Sequence, residues 1–187
     1  MSLKQQIEAC LGSDLVAISE FRGDIVAEVP KNRVVSCLKA LRDDPELKMD
    51  FLSDVIGVDN KALYEKPKKK AKKKAEADEP PEDEGAQKAE LPPRFEVIYL
   101  LLSLENNRRM MVKVRVPEED LVVPTVTTIW KAATWPEREV YDMFGIRFKG
   151  HPDLRRLLMW EDFGAHPLRK DYPLEGRGEE RHLIYED

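Results

Sequence analysis

The sequence predicts an α+β fold class, in which a mainly antiparallel, twisted sheet carries helices on one face and continues into an extended C-terminal arm. Apolar residues at helical spacing near the start, and β-prone runs on both sides of a charged stretch, predict the layered domain. Prolines recur after residue 145 and predict the arm, because proline interrupts regular elements. We therefore divide the chain into a domain at 1–124, interrupted by a charged disordered loop at 65–93, and a helical segment with an extended arm at 125–187.

The sequence of the first half of the domain predicts a helix, a hairpin, a second helix and a strand in that order. Ser2 and Gln5 form a capping box at the start of the first helix, and a glycine ends it. Two short β-prone runs predict the hairpin, a proline begins the second helix, and an apolar run predicts the strand. The predicted ranges are 2–11 for the first helix, 14–19 and 24–29 for the hairpin strands, 30–44 for the second helix and 49–58 for the strand.

The stretch at 65–93 differs in composition from the rest of the chain. Its eight lysines lie mainly at 66–74 and its eight acids mainly at 76–84, with few apolar residues among them. Such a segment buries too little apolar surface to offset the entropy of ordering, so we predict a solvated linker loop. An alternative interpretation is a basic tether to phospholipid headgroups or an acidic neighbour, although the adjacent acidic block would weaken that attraction.

Two further strands are predicted after the loop. Residues 94–104 form a near-continuous apolar run, which is typical of the most buried strand of a sheet. Residues 108–116 alternate between apolar and polar side chains, as a half-buried strand does. Two asparagines between the runs favour a turn, so the two strands should form a hairpin.

Two short helices are predicted between the sheet and the arm. Thr125 would cap the first, and Thr134 with Glu137 would form the capping box of the second. Within the second helix, Arg138 lies four residues before Asp142, which is the spacing of a helical ion pair.

The stretch from Thr134 to Leu174 is too charged for an ordinary core and too aromatic for an ordinary surface. It holds half of the aromatic residues of the chain and, up to Pro173, seven acids and seven bases. Aromatic residues and arginines among paired acids are enriched in buried protein–protein contacts. We therefore predict an interface rather than an active site.

The same stretch carries an ordered series of motifs. They are Glu137-Arg138-Glu139, Asp142-Met143-Phe144, His151, Arg155, Leu157-Leu158 and the closing run His-Pro-Leu-Arg-Lys-Asp-Tyr-Pro-Leu at 166–174. This series resembles the signature of the thirty-kilodalton subunit of respiratory complex I, the NADH:quinone oxidoreductase. Trp160 and the run at 163–165 depart from the family pattern without touching its charged residues.

The resemblance implies a structural subunit without a cofactor in the hydrophilic arm of a proton-translocating complex. FMN and iron–sulfur clusters would belong to partner subunits. The implied partners are the quinone-site forty-nine-kilodalton subunit, the terminal iron–sulfur cluster subunit and other hydrophilic-arm subunits. The implied location is peripheral, at the cytoplasmic side of the bacterial plasma membrane, and membrane contact would come only through the complex. The implied subunit interface consists of Trp135, Glu137, Arg138, Glu139, Tyr141, Asp142, Phe144, Phe148, His151, Arg155, Arg156, His166, Arg169, Lys170, Asp171 and Tyr172.

Two chemical alternatives use residues of the same stretch. Glu137, Glu139 and Asp142 could perform acid–base chemistry, but no nucleophile is placed beside them, which favours structural ion pairing. His151 and His166 could bind a metal with nearby acids, but their spacings match no zinc site. Two cysteines are too few to hold an iron–sulfur cluster, and no nucleotide-binding motif is present.

Composition argues against other classes of protein. A net charge of -5 and a pI near 5.4 do not favour nucleic acid as the main partner. No apolar run approaches the ~18 residues of a membrane span, and we expect the first residues to be neither a signal peptide nor an Arg-rich transit peptide. Two alternatives stay open: the equivalent subunit of a related membrane-bound hydrogenase or a ferredoxin or deazaflavin dehydrogenase, and a stand-alone protein-binding module.

Overall fold

The structure is a computed structural model that describes residues 2–61 and 93–179. The helices in this part of the chain are α1 (Leu3–Leu11), α2 (Val34–Asp43) and α3 (Thr134–Phe144). The strands are β1 (Ala17–Phe21), β2 (Asp24–Val29), β3 (Phe51–Asp59), β4 (Phe95–Ser103), β5 (Arg108–Val116), β6 (Val122–Pro124) and β7 (Arg147–Lys149). Apart from Pro93, the predicted charged loop lies outside the described residues, so its role stays a prediction.

Five strands form one sheet in the order β1-β2-β5-β4-β3. Neighbouring strands run antiparallel, except that β2 and β5 run parallel because α2, β3 and β4 intervene between them in the chain. A second, two-stranded sheet pairs β6 with β7 in parallel. The predicted α+β class with a mainly antiparallel sheet is therefore confirmed.

One face of the five-stranded sheet builds the core together with the helices. Alternate residues of β5 are buried on that face, which confirms the alternation predicted for 108–116. β4 is the most buried strand, as its apolar run predicts. Ile7 and Leu11 of α1 and Leu38 and Leu41 of α2 belong to the same buried cluster, so both helices lie against this face.

Two local features differ from the sequence prediction. The first hairpin strand begins at Ala17, three residues later than predicted, because Gly12–Asp14 form a 3-10 turn. The hairpin turn itself falls on Arg22 and Gly23, whose φ angles of 54° and 89° are the left-handed values that a tight hairpin needs. The helix predicted after Thr125 is wrong, because these residues form a turn and only a short 3-10 turn precedes α3.

The contact between α3 and β3 fixes the position of the helix from which the arm departs. β3 is an edge strand of the sheet, and α3 packs beside it. The ring of Phe144 lies so close to Gly57 that a Cβ built on this glycine would fall 2.5 Å from the ring. A glycine at this strand position therefore allows helix and strand to approach each other.

Gly57→Ala should lower the free energy of unfolding by about 1–3 kcal/mol, because the added methyl group must displace the ring of Phe144. Gly164→Ala is the matched control, because no heavy atom lies within 4 Å of its added Cβ. Urea unfolding of the full chain measures both variants. Equal stability of the two would show that the ring moves aside without cost and that the close approach does not matter.

Candidate functional site

One buried carboxylate of α3 binds the C-terminal arm (residues 150–179) and holds it against the helix. Asp142 is fully buried, and its Oδ2 accepts hydrogen bonds from the three consecutive backbone N–H groups of 157–159, at 3.0, 2.7 and 2.9 Å. Its Oδ1 accepts a fourth hydrogen bond from Nη1 of Arg156 at 2.6 Å. Charge-assisted hydrogen bonds are the strong ones, so four of them on one carboxylate fix the backbone of the arm at this point.

Asp142 is held in its ionised form although it is buried. Burial would raise its pKa, but hydrogen bonds from the backbone N–H of Met159, from the Arg156 guanidinium and from the N–H groups of Leu158 and Leu157 outweigh burial and lower the pKa below its usual value. A carboxylate accepts all four hydrogen bonds, whereas a protonated acid would give up part of that capacity. The buried charge is therefore compensated within this chain.

The predicted ion pair between Arg138 and Asp142 is wrong. Asp142 pairs with Arg156 of the arm instead, at 2.6 Å. Arg138 donates from Nε and Nη2 to the carbonyl oxygens of Arg155 and Arg156, at 3.1 and 2.9 Å. A spacing of four places both side chains on one face of the helix, but the arm packs over that face and supplies a separate partner to each.

The C-terminal end of α3 makes a second set of contacts with the arm. Nδ1 of His166 donates to the carbonyl oxygen of Asp142 at 2.9 Å, and Nε of Arg169 donates to that of Phe144 at 2.7 Å. Carbonyl groups in the last turn of a helix lack partners within the helix and favour a cation nearby. Gly145 ends the helix with a φ of 77°, and a Cβ there would come within 2.6 Å of the His166 ring and 2.5 Å of the Arg169 guanidinium.

A buried arginine ties the arm to the edge of the sheet. Arg94 donates from Nε to Oδ1 of Asp59 at 3.0 Å and from Nη2 to Oδ2 at 2.7 Å. Its Nη2 also donates to Asp171 of the arm, and the backbone N–H of Lys170 donates to Asp59 at 2.9 Å. Burial would raise the pKa of Asp59. The Arg94 guanidinium and the backbone N–H groups of Lys170 and Lys61 outweigh burial and lower this pKa below its usual value.

Glu137 faces the domain rather than the arm. It is fully buried, and its carboxylate accepts hydrogen bonds from Oγ1 of Thr125 at 2.5 Å and from the backbone N–H of Val126 at 2.8 Å. The predicted capping box of Thr134 and Glu137 is therefore wrong, because Glu137 binds the turn before its own helix. Thr134 instead donates from Oγ1 to the carbonyl oxygen of Lys131 at 2.8 Å, and α3 has no side-chain cap.

His151 also has structural partners. Its Nδ1 accepts from the backbone N–H of Asp153 at 3.0 Å, so Nε2 carries the proton and donates to the carbonyl oxygen of Thr134 at 3.1 Å. Within 2–61 and 93–179, no group of three or more His, Cys, Asp or Glu side chains is placed to hold a metal ion. Nor is any helix in these two ranges long and apolar enough to cross a membrane.

The predicted interface residues differ widely in exposure. The buried ones are Glu137, Arg138, Asp142, Phe144 and Phe148. The half-buried ones are Tyr141, His151, Arg156, His166, Arg169 and Tyr172. The exposed ones are Trp135, Glu139, Arg155, Lys170 and Asp171. The charged groups of the buried set have partners within this chain, and the role of the whole set as a subunit interface stays a prediction.

Large apolar side chains of the arm face solvent, and the interface set predicted from the sequence does not include them. Leu158 is 62% exposed, Leu168 is 50% exposed and Leu174 is fully exposed. Trp135 on α3 is 62% exposed and is stacked by Arg138, whose guanidinium lies 5.2 Å from the ring centroid. Because the arm has neither helical nor strand periodicity, the side on which each leucine lies follows from the tertiary contacts of the arm, which are those of Asp142 at 157–159 and those of the end of α3 and of Asp59 and Arg94 at 166–171.

The fold and the site define a class of protein, an α+β domain that carries an irregular C-terminal arm on a buried, ionised carboxylate. The family model described as the respiratory-chain NADH dehydrogenase, 30 Kd subunit, matches residues 27–178. Since this match covers most of the chain, the chain belongs to that family, and the resemblance drawn from the motifs is confirmed.

Relatives of the chain carry the name of the same enzyme. In Roseiflexus castenholzii, the NADH-quinone oxidoreductase subunit designated C is 41% identical over 169 residues, which cover 90% of this chain and 81% of the relative. The subunit of the same designation in Burkholderia multivorans is 37% identical over 182 residues, or 97% of this chain and 80% of the relative. The structure of a trypsin-resistant fragment of Nqo5 has a TM-score of 0.56 and 30% identity, and it covers 82% of this chain and 100% of the fragment.

One further likeness concerns the fold alone. A chain of the membrane-bound sulfane sulfur reductase, an archaeal respiratory membrane complex, has a TM-score of 0.65 and 20% identity to this chain. The match covers 98% of this chain and 96% of the other.

Asp142→Asn should release the arm, because asparagine offers one acceptor oxygen where Asp142 offers two and no charge to balance Arg156. Its NH2 group must face either the N–H groups of 157–159 or the Arg156 guanidinium, and both are donors. We expect the free energy of unfolding to fall by about 3–5 kcal/mol, as for a buried ion pair that loses one partner. Proteases should also cleave within 150–179 faster than in the original chain.

Glu139→Gln is the matched control for this variant, because Glu139 is exposed on the same helix. It should change the free energy of unfolding by less than about 0.5 kcal/mol and leave the arm protected. Urea unfolding and timed proteolysis of the full chains measure the two effects. An arm that stays protected in Asp142→Asn would contradict the role given to this carboxylate.

Proposed function

We propose that the chain is a cofactor-free structural subunit in the hydrophilic arm of a proton-translocating NADH:quinone oxidoreductase. It would hold the quinone-site forty-nine-kilodalton subunit and the terminal iron–sulfur cluster subunit in position while electrons pass from NADH to quinone. The family of the chain and the names of its relatives support membership of this enzyme complex. The geometry of the C-terminal arm supports the holding role.

A firmly seated arm with outward apolar side chains is the observation that carries this role. Asp142 and Arg94 are buried, and both hold the arm through charge-assisted hydrogen bonds. Leu158, Leu168 and Leu174 nevertheless keep half or more of their surface in solvent. Apolar side chains on a rigid support lose little conformational entropy on association, so they are suited to a protein contact.

A holding role affects the chemistry of the complex indirectly. Reaction rates depend steeply on the placement of the reacting groups, and a misplacement of about 1 Å can cost roughly a hundredfold. A subunit that fixes its neighbours can therefore be essential to quinone reduction without contacting quinone. Trp135, Glu139 and Arg155 are also exposed and would extend the contact surface.

We place FMN and the iron–sulfur clusters on partner subunits. The cysteines of this chain lie apart from the arm, Cys10 in α1 and Cys37 in α2. Burial raises the pKa of both thiols, to about 11 for Cys10, whereas cluster and metal binding require the thiolate. These thiols are thus poorly suited to be ligands.

We also place the chain at the cytoplasmic side of the bacterial inner membrane, with membrane contact only through the complex. Its net charge of -5 gives no general attraction to anionic lipid headgroups, whose surface attracts basic segments. The same charge disfavours nucleic acid as a partner.

A second candidate is the equivalent subunit of a related membrane complex, because the fold is shared with a chain of the sulfane sulfur reductase. Affinity purification of the tagged chain from detergent-solubilised membranes separates the candidates. Co-purifying chains with flavin and NADH motifs would support the first proposal, and hydrogenase-type or ferredoxin-dependent chains would support the second. A monomer that stays outside every membrane complex would contradict both.

Leu158→Asp should lower the amount of assembled complex about tenfold or more, because a charge would be buried at the centre of the proposed contact. Its backbone N–H still binds Asp142, so the arm should remain seated. Val16→Asp is the matched control, since Val16 is 60% exposed and lies before β1. For Leu158→Asp, the amount of assembled complex on native gels and the quinone-reductase activity of membranes should decrease together. A loss of activity with full assembly would contradict a purely structural role.

A further inference from the structure

Glu137 is an acid held inside the protein without a cation. Its carboxylate lies between α3 and the turn after β6, where its donors are the Thr125 hydroxyl and the Val126 N–H. No ion pair joins it to a lysine, arginine or histidine in the part of the chain that the structure describes. Asp142, on the same helix, is equally buried but pairs with Arg156. A cation therefore compensates the charge of Asp142, whereas no cation among residues 2–61 and 93–179 compensates that of Glu137.

The interior around Glu137 does little to compensate a negative charge. Tyr99 of β4 is fully buried, and its hydroxyl finds no hydrogen-bond partner among the described residues. Burial raises the pKa of Tyr99, and the charge of Glu137 raises it further. The interior between Glu137 and Tyr99 therefore screens the negative charge of Glu137 poorly.

The elements packed around α3 carry other titratable groups, and in the described ranges none of them makes an ion pair with Glu137. On the side of the domain they are Asp54 and Asp59 on β3, Lys131 before α3, and Arg147 and Lys149 on β7. On the arm they are His151, Asp153, Arg155, Arg156, His166 and Arg169; Arg156 binds Asp142, and His166 and Arg169 bind carbonyl groups at the end of α3. Asp59 is bound by Arg94, and His151 is held between two backbone groups. Asp54, Lys131, Arg147 and Lys149 are exposed to solvent.

Two threonine hydroxyls lead from Glu137 toward the surface. Oγ1 of Thr125 lies 2.5 Å from Oε2 of Glu137 and 2.9 Å from Oγ1 of Thr127, which is half-buried. When Glu137 is neutral, it can donate to Thr125, which donates to Thr127. When Glu137 is ionised, Thr127 donates to Thr125, and Thr125 donates to the carboxylate. The same atomic positions therefore satisfy both protonation states.

We propose that Glu137 is a proton-binding site that exchanges its proton with solvent through the hydroxyls of Thr125 and Thr127. On release, the proton of Glu137 passes to Thr125, that of Thr125 passes to Thr127, and that of Thr127 passes to water. One proton leaves, and one negative charge remains on the carboxylate. The site is formed by this chain alone, so it does not depend on which complex the chain joins.

The protonated form of Glu137 stabilises the fold. Burial raises its pKa from 4.5 to about 7, against the opposing effect of its two hydrogen bonds. The folded chain therefore binds this proton more tightly than the unfolded chain does. The resulting stabilisation is fully present below pH 4.5 and is lost as the pH rises through about 7. Since α3 also seats the arm through Asp142, ionisation of Glu137 should weaken the support of the arm.

Urea unfolding of the full chain at pH 5 and pH 8 tests the proposal. The unfolding equilibrium constant, taken relative to that of Glu137→Gln, should rise about 70-fold between these values, because glutamine keeps both hydrogen bonds and does not titrate. The ratio also cancels His166, whose pKa is lowered chiefly by burial and which acts in the opposite direction. A merely structural role would change stability equally at both pH values, and that result would overturn the proposal.

Infrared difference spectra between the original chain and Glu137→Gln provide a direct readout. They should contain a carboxylic acid C=O band at pH 5 that is lost by pH 8. Thr125→Val removes a donor to the ionised form and should move the midpoint to higher pH. Thr127→Val keeps that donor, so it should leave the midpoint nearly unchanged but slow the loss of the band after a pH jump. The proposal would be overturned if the C=O band were equally intense at pH 5 and pH 8. It would also be overturned if the two threonine variants had the same pH midpoint and lost the band at the same rate.

Discussion

The negative charge of Asp142 is the constraint on which the arrangement of the C-terminal half depends. An arm without helix or strand must still find partners for its backbone N–H and C=O groups wherever water is excluded. Asp142 accepts three consecutive N–H groups of the arm, and Arg138 donates to two of its carbonyl oxygens. An acid and a base on one helix thus replace the missing ladder of hydrogen bonds. Loss of either charge would leave buried backbone groups of the arm unpaired.

This arrangement assigns different tasks to charged and apolar side chains. In an ordinary domain the apolar residues drive folding and the charges face water. Here Arg156 of the arm turns inward to bind Asp142 of α3, while Leu158 and Leu168 of the arm are exposed. The charged motif positions the arm, and the leucines form the apolar surface that we propose for the partner contact. A family signature rich in charge can therefore belong to a surface whose binding energy is mainly hydrophobic.

The domain could be predicted from the sequence more fully than the site. The capping box at the start of α1 and the apolar run of β4 depend on neighbours in sequence, and both form as predicted. The partners of Arg138 and Asp142 could not be predicted, because helical spacing shows which residues share a face but not what packs over it. Asp59 and Arg94 are 35 residues apart and become neighbours only when β3 pairs with β4. Each failure concerns a contact that the tertiary fold creates.

Glu137 and Asp142 are two carboxyl groups on one helix whose pKa values shift in opposite directions. Five residues apart, they project to different sides of α3, and both are fully buried. Asp142 meets a guanidinium and three N–H groups, which lower its pKa, whereas Glu137 meets one hydroxyl and one N–H, which do not offset burial. Environments that push two carboxyl pKa values apart can give the two groups different roles. The side facing the arm carries a permanent charge and holds its position, while the side facing the domain carries a charge that depends on pH. Because both sides belong to one rigid helix, a proton gained or lost on the domain side can alter the hold on the arm.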